Sequence, residues 1–179
     1  GDDIQALAAN LVGKNQITNK DLLVGFSFGG QLALEIKRIK PNVTVITISS
    51  IRHANELTRQ FKFFARIVQY IPNPVLRLLL VLFGPWHTSR GSNITLSQQE
   101  VLRDMAIDLN VEFFKKTLQM CAQWCANDLE PDLQINGEKD TLIPYEKRPK
   151  QIILKNAGHL LTITNTDEII NEIKKYAKN

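Results

Sequence analysis

The sequence predicts an α/β fold, in which a mostly parallel sheet has helices on its faces and a helical insertion in the middle. Two short runs, residues 21–26 and 43–49, are apolar or β-branched and flank a segment with helical spacing. A strand, a helix and a second strand this close together form a βαβ unit with parallel strands. Strand-like runs resume only after residue 131. We therefore predict a core of residues 1–50 and 129–179 and an insertion of about 51–128.

The core elements follow in chain order. Residues 6–12 resemble the end of an amphipathic helix that Gly13 terminates. Residues 21–26 (DLLVGF) are a short apolar run bounded by turn residues, which is typical of a buried parallel strand. The same periodicities predict the remaining elements: a helix over 28–38, strands over 43–49, 132–136 and 151–155, and a closing helix over 167–177.

The insertion shows helical spacing and no convincing strand. Its first helix has one apolar face and a second apolar stripe formed by Phe63, Ile67 and Tyr70. A helix that is apolar on two faces must be covered on both, by the sheet layer and by other helices or a ligand. Further helices are predicted over 75–83, after a capping box at 97–100, and over 111–127.

Composition limits the classes of function. The 179 residues carry a net charge of +4, and 44% are hydrophobic and 22% charged, as in a single globular domain. Lysine and arginine residues are spread along the chain, so nucleic-acid binding has little support and no such partner is expected. The most apolar run, residues 76–84, is too short to span a bilayer. The oligomeric state stays open.

The two cysteines, Cys121 and Cys125, are too few for a disulfide framework and wrongly spaced for a metal knuckle. We expect both to be reduced, buried thiols, and the protein to be cytoplasmic. The sequence contains no Walker loop, no G-x-G-x-x-G motif and no convincing metal-ligand spacing, so neither a cofactor nor a metal is expected.

A G-x-S-x-G pentapeptide, residues 25–29, lies where the first predicted strand turns into the following helix. Small residues two positions before and after Ser27 permit a tight turn that holds the serine hydroxyl out of the sheet edge. The alternative is that the glycines only permit close packing and that Ser27 caps the helix. The strand-to-helix context favours a nucleophilic serine.

A nucleophilic serine needs a base within hydrogen-bond reach and a third group that orients the base. His159 follows the last predicted strand and therefore lies at the same sheet edge as Ser27. Asp140 follows the preceding strand, although an aspartate there also suits a turn or a helix cap. Glu138 is the second choice for the acid, and Asp128 is a weaker one. We expect the other two histidines, His53 and His87, to be solvated side chains in loops.

The segments GFSFGG, NGEKDTLIP and AGHLL resemble the nucleophile, acid and histidine segments of the α/β-hydrolase superfamily. The resemblance is closest to small bacterial serine esterase-like members with a helical lid, and it covers nearly the whole chain in order. It implies that Ser27 is the nucleophile, His159 the general base and Asp140 the carboxylate that orients the base. It also implies that the insertion is the lid.

The chain departs from that pattern at its beginning. The superfamily places four or more strands before the nucleophile turn, and a loop after an early strand supplies half of the oxyanion hole. Here only about twenty residues precede the first predicted strand. The backbone N–H of Phe28 is the one oxyanion donor that we identify, and the second donor is missing from the sequence. We therefore expect these residues to be the carboxyl-terminal part of a longer protein.

These features predict a carboxylesterase-like serine hydrolase that acts on a small-molecule acyl substrate. The reaction would cleave a carboxylic ester or thioester of a small or lipophilic acyl group through an acyl-enzyme. Two alternatives remain. The first is a non-catalytic hydrolase-like binding protein, and the second is another reaction on the same three residues, such as acyl transfer, amide cleavage or carbon–carbon hydrolysis.

Overall fold

The structure is a computed structural model, and it describes residues 3–88, 94–125, 128–145 and 148–177. Within these ranges the chain forms four strands, eight α-helices and two single-turn 3-10 helices, Ala54–Glu56 and Val68–Tyr70. The strands and α-helices are α1 (Ile4–Lys14), β1 (Leu22–Phe26), α2 (Phe28–Ile39), β2 (Thr44–Ile48), α3 (Arg59–Ile67), α4 (Asn73–Thr88), α5 (Leu96–Asp108), α6 (Val111–Gln123), β3 (Leu133–Gly137), β4 (Gln151–Leu154), α7 (Leu161–Thr164) and α8 (Thr166–Ala177). No helix in the described ranges has both the length and the apolar character needed to cross a membrane.

The four strands form one parallel sheet in the order β1-β2-β3-β4. Gly25 pairs with Thr47, Thr47 with Gln134, and Gln134 with Gln151. The predicted α/β class with a parallel sheet and flanking helices is confirmed. Because all the strands run in one direction, the loops that follow them emerge at a single edge of the sheet.

Helices cover both faces of the sheet, and each face has its own apolar core. On one face Leu34 of α2 packs with Val45 and with α1. On the other face Ile46 and Ile135 pack with Leu161 and with α8. Successive residues of a strand point to opposite faces, so adjacent β2 residues serve both cores. This layering holds α2 against the sheet with its first residue beside the carboxyl end of β1.

Helices α3 to α6 form the insertion between β2 and β3. Helices α3, α4 and α6 share a small apolar core that includes Leu76 and Leu118. The end of the insertion is fastened to α2, since the indole Nε1 of the buried Trp124 donates a 2.7 Å hydrogen bond to Oε1 of Glu35. The insertion is therefore attached to the helix that starts directly after Ser27.

The two ends of the insertion meet each other. His53 and Cys125 form an isolated antiparallel bridge, and Ala54 N donates a 3.2 Å hydrogen bond to Trp124 O. Nδ1 of His53 accepts a hydrogen bond from Asn55 N, and Nε2 lies 2.8 Å from Sγ of Cys125. The interpretation of His53 as a solvated loop side chain is therefore wrong, because its ring joins the two ends of the insertion.

Strand β1 is not the buried strand that its apolar sequence predicts. Leu22 is 38% exposed and Val24 is 47% exposed, whereas Gly25 is buried. The reason is position: β1 is the last strand of the described sheet on this side, so it has one neighbouring strand, β2. Phe26 packs against the core on the α8 side of the sheet, whereas Leu22 and Val24 stay exposed.

The second apolar stripe of α3 is also exposed, contrary to the prediction. Phe63 is 65% exposed, Ile67 is 41% exposed and Tyr70 is 85% exposed. In the described part of the chain, this segment packs on the insertion through Ala65 and Val68, which lie on its opposite side. One face is therefore covered by the neighbouring helices and the other is not.

Two boundaries in the insertion differ from the predicted ones. The capping box of α5 uses Thr95 as the N-cap and Gln98 as its partner, so the helix begins before the predicted box at 97–100. Helix α4 continues to Thr88, which places His87 in a helix rather than in a loop. In both cases the backbone continues its regular hydrogen bonding beyond the point that side-chain spacing suggested.

The cysteines differ in burial. Cys121 is buried, as predicted, but Cys125 is exposed, so the prediction of two buried thiols is wrong for Cys125. Helix α6 ends at Gln123, two residues before Cys125, and the predicted continuation over 126–127 lies outside the described residues. Neither thiol is part of a disulfide.

Alanine substitutions at two adjacent isoleucines of α8 test the packing of the core between α7, α8 and the sheet. Ile169 is 4% exposed and Ile170 is 41% exposed. We expect Ile169→Ala to lower the free energy of unfolding by about 3 kcal/mol, because it leaves a cavity between α8 and the sheet. Ile170→Ala should cost less than about 1 kcal/mol. Urea denaturation measures both, and equal losses would contradict the described packing.

Candidate active site

The turn between β1 and α2 holds Ser27 in a strained backbone conformation. Its φ is 51° and its ψ is −119°, a combination that costs a non-glycine residue about 1–3 kcal/mol. Two backbone hydrogen bonds hold the turn: Ser27 N donates to Ile48 O at 2.9 Å, and Gly30 N donates to Ser27 O at 3.0 Å. The serine side chain is thereby directed away from the end of the strand.

Two glycines are required around this turn, but they are not the pair that the pentapeptide suggests. A Cβ on Gly25 would lie 2.3 Å from Gly29 O, and a Cβ on Gly30 would lie 2.4 Å from Oγ of Ser50. A Cβ on Gly29 would have no atom within 4 Å. The steric interpretation is therefore confirmed two residues before Ser27 and wrong two residues after it. It is Gly30, rather than Gly29, that permits the close approach to Ser50 in the segment after β2.

The substitutions Gly25→Ala and Gly29→Ala form a matched test of this geometry. We expect Gly25→Ala to lower the free energy of unfolding by about 2 kcal/mol or more, because its Cβ would collide with backbone atoms that cannot move aside. Gly29→Ala should keep or raise stability, since alanine favours a helix over glycine by about 1 kcal/mol. Thermal and urea denaturation followed by circular dichroism compare them. Similar losses in both variants would refute the assignment.

His159 lies in the loop after β4 and faces Ser27. Its Nε2 is 3.2 Å from Oγ of Ser27, and its Nδ1 is 2.9 Å from Oδ2 of Asp140. The imidazole side chain is 11% exposed and packs on the ring of Phe26, with 5.3 Å between ring centroids. Phe26 was not singled out from the sequence, although its position directly before Ser27 is the signal that could have identified it.

Asp140 has two roles, and both were considered from its sequence. Its Oδ1 accepts hydrogen bonds from the backbone N–H groups of Leu142 and Ile143, at 3.0 and 2.9 Å, which shapes the turn. Its Oδ2 faces His159, and the side chain has no exposed surface. A carboxylate at Nδ1 requires the imidazole proton there, so Nε2 is free to accept the proton of the Ser27 hydroxyl.

Close backbone packing joins the acid loop to the histidine loop. A Cβ on Gly137 would lie 2.3 Å from Ala157 O and 2.5 Å from Gly158 O, so a side chain is excluded there. Lys139 N also donates a 2.8 Å hydrogen bond to Ala157 O. The two loops are held in contact by main-chain atoms, which fixes the separation between the carboxylate and the imidazole.

The other acids considered from the sequence are engaged elsewhere. Oε2 of Glu138 accepts a 3.0 Å hydrogen bond from Asn156 N. Asp128 binds the guanidinium of Arg38 through two hydrogen bonds of 2.9 and 3.2 Å, and these hold the pKa of Asp128 below its usual value. Among the described residues, no group of three or more His, Cys, Asp or Glu side chains is arranged to hold a metal ion.

Phe28 is the first residue of α2, so its backbone N–H has no acceptor within the helix. This group lies next to Ser27 at the positive end of the helix dipole, where a developing negative charge is stabilised. It is a suitable donor for an oxyanion formed on a carbonyl that Ser27 attacks. That the second donor is missing from this sequence stays a prediction.

A small cavity of about 20 Å³ lies beside Ser27 and His159. A space of this size holds roughly one group the size of a water molecule. The sheet core supplies one side of the cavity, and the insertion supplies the other. The lining residues from the insertion are Ile51, Leu57, Phe61 and Cys121.

Several solved structures are similar to this chain in backbone. An esterase from Thermogutta terrifontis has a TM-score of 0.73 at 16% identity, and the match covers 98% of this chain and 72% of the esterase. A bromoperoxidase from Bacillus anthracis has a TM-score of 0.72 at 18% identity, covering 100% of this chain and 75% of the other. A meta-cleavage product hydrolase from Pseudomonas fluorescens IP01 has a TM-score of 0.67 at 16% identity, covering 98% and 72%.

At these identities the similarity concerns the fold alone. No protein-family model matches the chain, and no curated protein matches it in sequence. The chain spans about three quarters of the length of the three similar structures.

Proposed function

We propose that this chain, which has the α/β-hydrolase fold, is a serine hydrolase that cleaves a carboxylic ester or thioester. Ser27 is the nucleophile, His159 the general base and Asp140 the carboxylate that orients the base. One observation carries the proposal: hydrogen bonds of 3.2 and 2.9 Å connect the serine hydroxyl, the imidazole and a fully buried carboxylate in sequence. This is the geometry that lets a serine lose its proton as it attacks a carbonyl.

The reaction proceeds in two stages. In the first, Oγ of Ser27 attacks the carbonyl carbon while Nε2 of His159 takes the hydroxyl proton. The Phe28 N–H donates to the resulting oxyanion. The C–O or C–S bond then breaks, and His159 gives its proton to the leaving group. In the second stage His159 removes a proton from water, which attacks the acyl-enzyme, and the released Ser27 oxygen regains a proton from His159.

Features outside the three residues support the choice of substrate. The walls of the cavity beside Ser27 come from both the core and the insertion, which suits an insertion that acts as a lid over the acyl group. The similar structure from Thermogutta terrifontis is an esterase, and so is one from Rhodococcus sp. ECU1013. Carbon–carbon hydrolysis is the second reaction to test on the same three residues, and one of the similar structures is a meta-cleavage product hydrolase.

Ser27→Ala tests the nucleophile. We expect it to abolish hydrolysis of p-nitrophenyl acyl esters and labelling by a fluorophosphonate probe, because the attacking oxygen is removed. Ser97→Ala, at an exposed position in α5, is the control and should retain both activities. Circular dichroism checks that both variants fold. Unchanged turnover in Ser27→Ala would end the proposal. If the unmodified protein is not labelled while an apolar ligand raises its melting temperature, it is a binding protein instead.

Asp140→Asn tests the orienting carboxylate against its neighbour Glu138. We expect Asp140→Asn to lower kcat by about 10³- to 10⁴-fold, because an amide no longer selects the imidazole tautomer that accepts the serine proton. Glu138→Gln keeps an oxygen that can accept from Asn156 N, so its kcat should stay within about threefold. Steady-state kinetics on one ester compares the two. A larger loss in Glu138→Gln would reassign the acid.

A further inference from the structure

Gln31 is a buried polar side chain on the wall of the cavity that adjoins Ser27. It lies four residues after Ser27, one turn into α2, and is 1% exposed. A helical turn rises about 5.4 Å, and Gln31 and Ser27 both line the cavity. The mechanism proposed above does not use this side chain.

Cys121 determines which end of the Gln31 amide is occupied. Its Sγ lies 2.9 Å from Oε1 of Gln31. Burial raises the pKa of the Cys121 thiol to about 12, so the sulfur keeps its proton at neutral pH and acts as the donor. A thiol donor selects the amide oxygen and leaves the amide nitrogen, with its two N–H groups, on the other side.

The amide nitrogen has no partner. Nε2 of Gln31 is buried and has no hydrogen-bond acceptor within the described residues. An unpaired buried N–H is costly, so such groups are rare unless a ligand or water supplies the acceptor. The surrounding wall is apolar, with Phe28, Leu57, Phe61 and Leu142 among its residues. Besides Gln31, the polar side chains on this cavity are Ser27, His159 and Cys121. A few polar groups among apolar residues are typical of a pocket that orients a ligand.

We propose that Nε2 of Gln31 is the recognition donor of an acyl-binding subsite, and that the substrates carry a hydrogen-bond acceptor on a short acyl group. The acceptor is an ether, hydroxyl or carbonyl oxygen located two or three bonds from the ester carbonyl carbon. The cavity of about 20 Å³ has room for one such group and little more. A purely alkyl acyl group of the same length fills the space but leaves the donor unpaired. The inference rests on the proposed hydrolase function and specifies its substrate class.

Two pairs of p-nitrophenyl esters measure this preference. Methoxyacetate is compared with butyrate, and 3-methoxypropanoate with pentanoate, so each pair has the same number of non-hydrogen atoms and differs by an oxygen in place of a methylene. The kcat/KM ratio of the oxygen-containing ester to the alkyl ester is measured in the unmodified protein and in Gln31→Met. The divided ratio is this kcat/KM ratio in the unmodified protein divided by the same ratio in the variant. The division cancels the intrinsic reactivity of the esters.

We expect the divided ratio to be about tenfold or more for at least one pair, because methionine has a similar length but offers no donor. Leu142→Met is the matched control, since it changes the same wall without changing a polar group. It should affect both esters of a pair by the same factor, which leaves its divided ratio within twofold of one. A divided ratio within twofold of one for Gln31→Met in both pairs would overturn the proposal, and a buried water would then be the partner of the amide.

A binding measurement separates this proposal from the proposed reaction. Ser27→Ala and Ser27→Ala/Gln31→Met are titrated calorimetrically with the same four esters, which neither variant should hydrolyse. The subsite proposal is supported if Ser27→Ala binds an oxygen-containing ester about tenfold more tightly than the matching alkyl ester and the double variant shows no such preference. If, in addition, the unmodified protein hydrolyses none of the four esters, the subsite proposal stands and the hydrolase proposal fails. If Ser27→Ala shows no preference in either pair, the subsite proposal fails whatever the kinetics of Ser27.

Discussion

The geometry of the site depends on the parallel pairing of β1 to β4. Because the four strands run in one direction, the turns after β1, β3 and β4 emerge at one edge of the sheet, where Ser27, Asp140 and His159 meet. Pairing alone does not set the distances between them. Those come from two backbone approaches that exclude a Cβ, at Gly25 beneath the serine turn and at Gly137 beneath the histidine loop.

The site combines a residue with a strained backbone, Ser27, and a buried residue with several hydrogen bonds, Asp140. Ser27 occupies a backbone region that a non-glycine residue rarely adopts, and hydrogen bonds to Ile48 and Gly30 hold it there. Asp140, by contrast, is fully buried and accepts two backbone N–H groups on one oxygen while the other oxygen faces the imidazole. The imidazole of His159 lies between the buried carboxylate and the constrained serine, and its ring packs on Phe26. Preorganisation of this kind is what general-base catalysis requires.

Polar contacts along α2 connect the helical insertion to the nucleophile turn. Residues three and four apart on a helix share a face, and three such positions of α2 bind side chains at the end of the insertion. These contacts are Gln31 with Cys121, Glu35 with Trp124, and Arg38 with Asp128. The insertion is therefore attached to the helix that carries Ser27 at its start, and the first of the three contacts lies on the wall of the cavity. The proposed acyl recognition by Gln31 and the attachment of the insertion thus involve the same face of one helix.

The sequence by itself determined the features that depend on near neighbours in the chain. The parallel strands and most helices follow from local periodicity. The choice of Ser27, Asp140 and His159 as candidates followed from their positions within a few residues of strand ends. The tertiary structure decided what depends on atoms brought from far along the chain. It showed that Leu22 and Val24 of β1 and the Phe63 stripe are exposed, and that Gly30 rather than its neighbour meets Ser50. It also left one amide nitrogen without a partner beside the serine. Burial, steric contact and hydrogen-bond satisfaction are properties of the packed chain, and local spacing carries no information about which distant atoms will supply them.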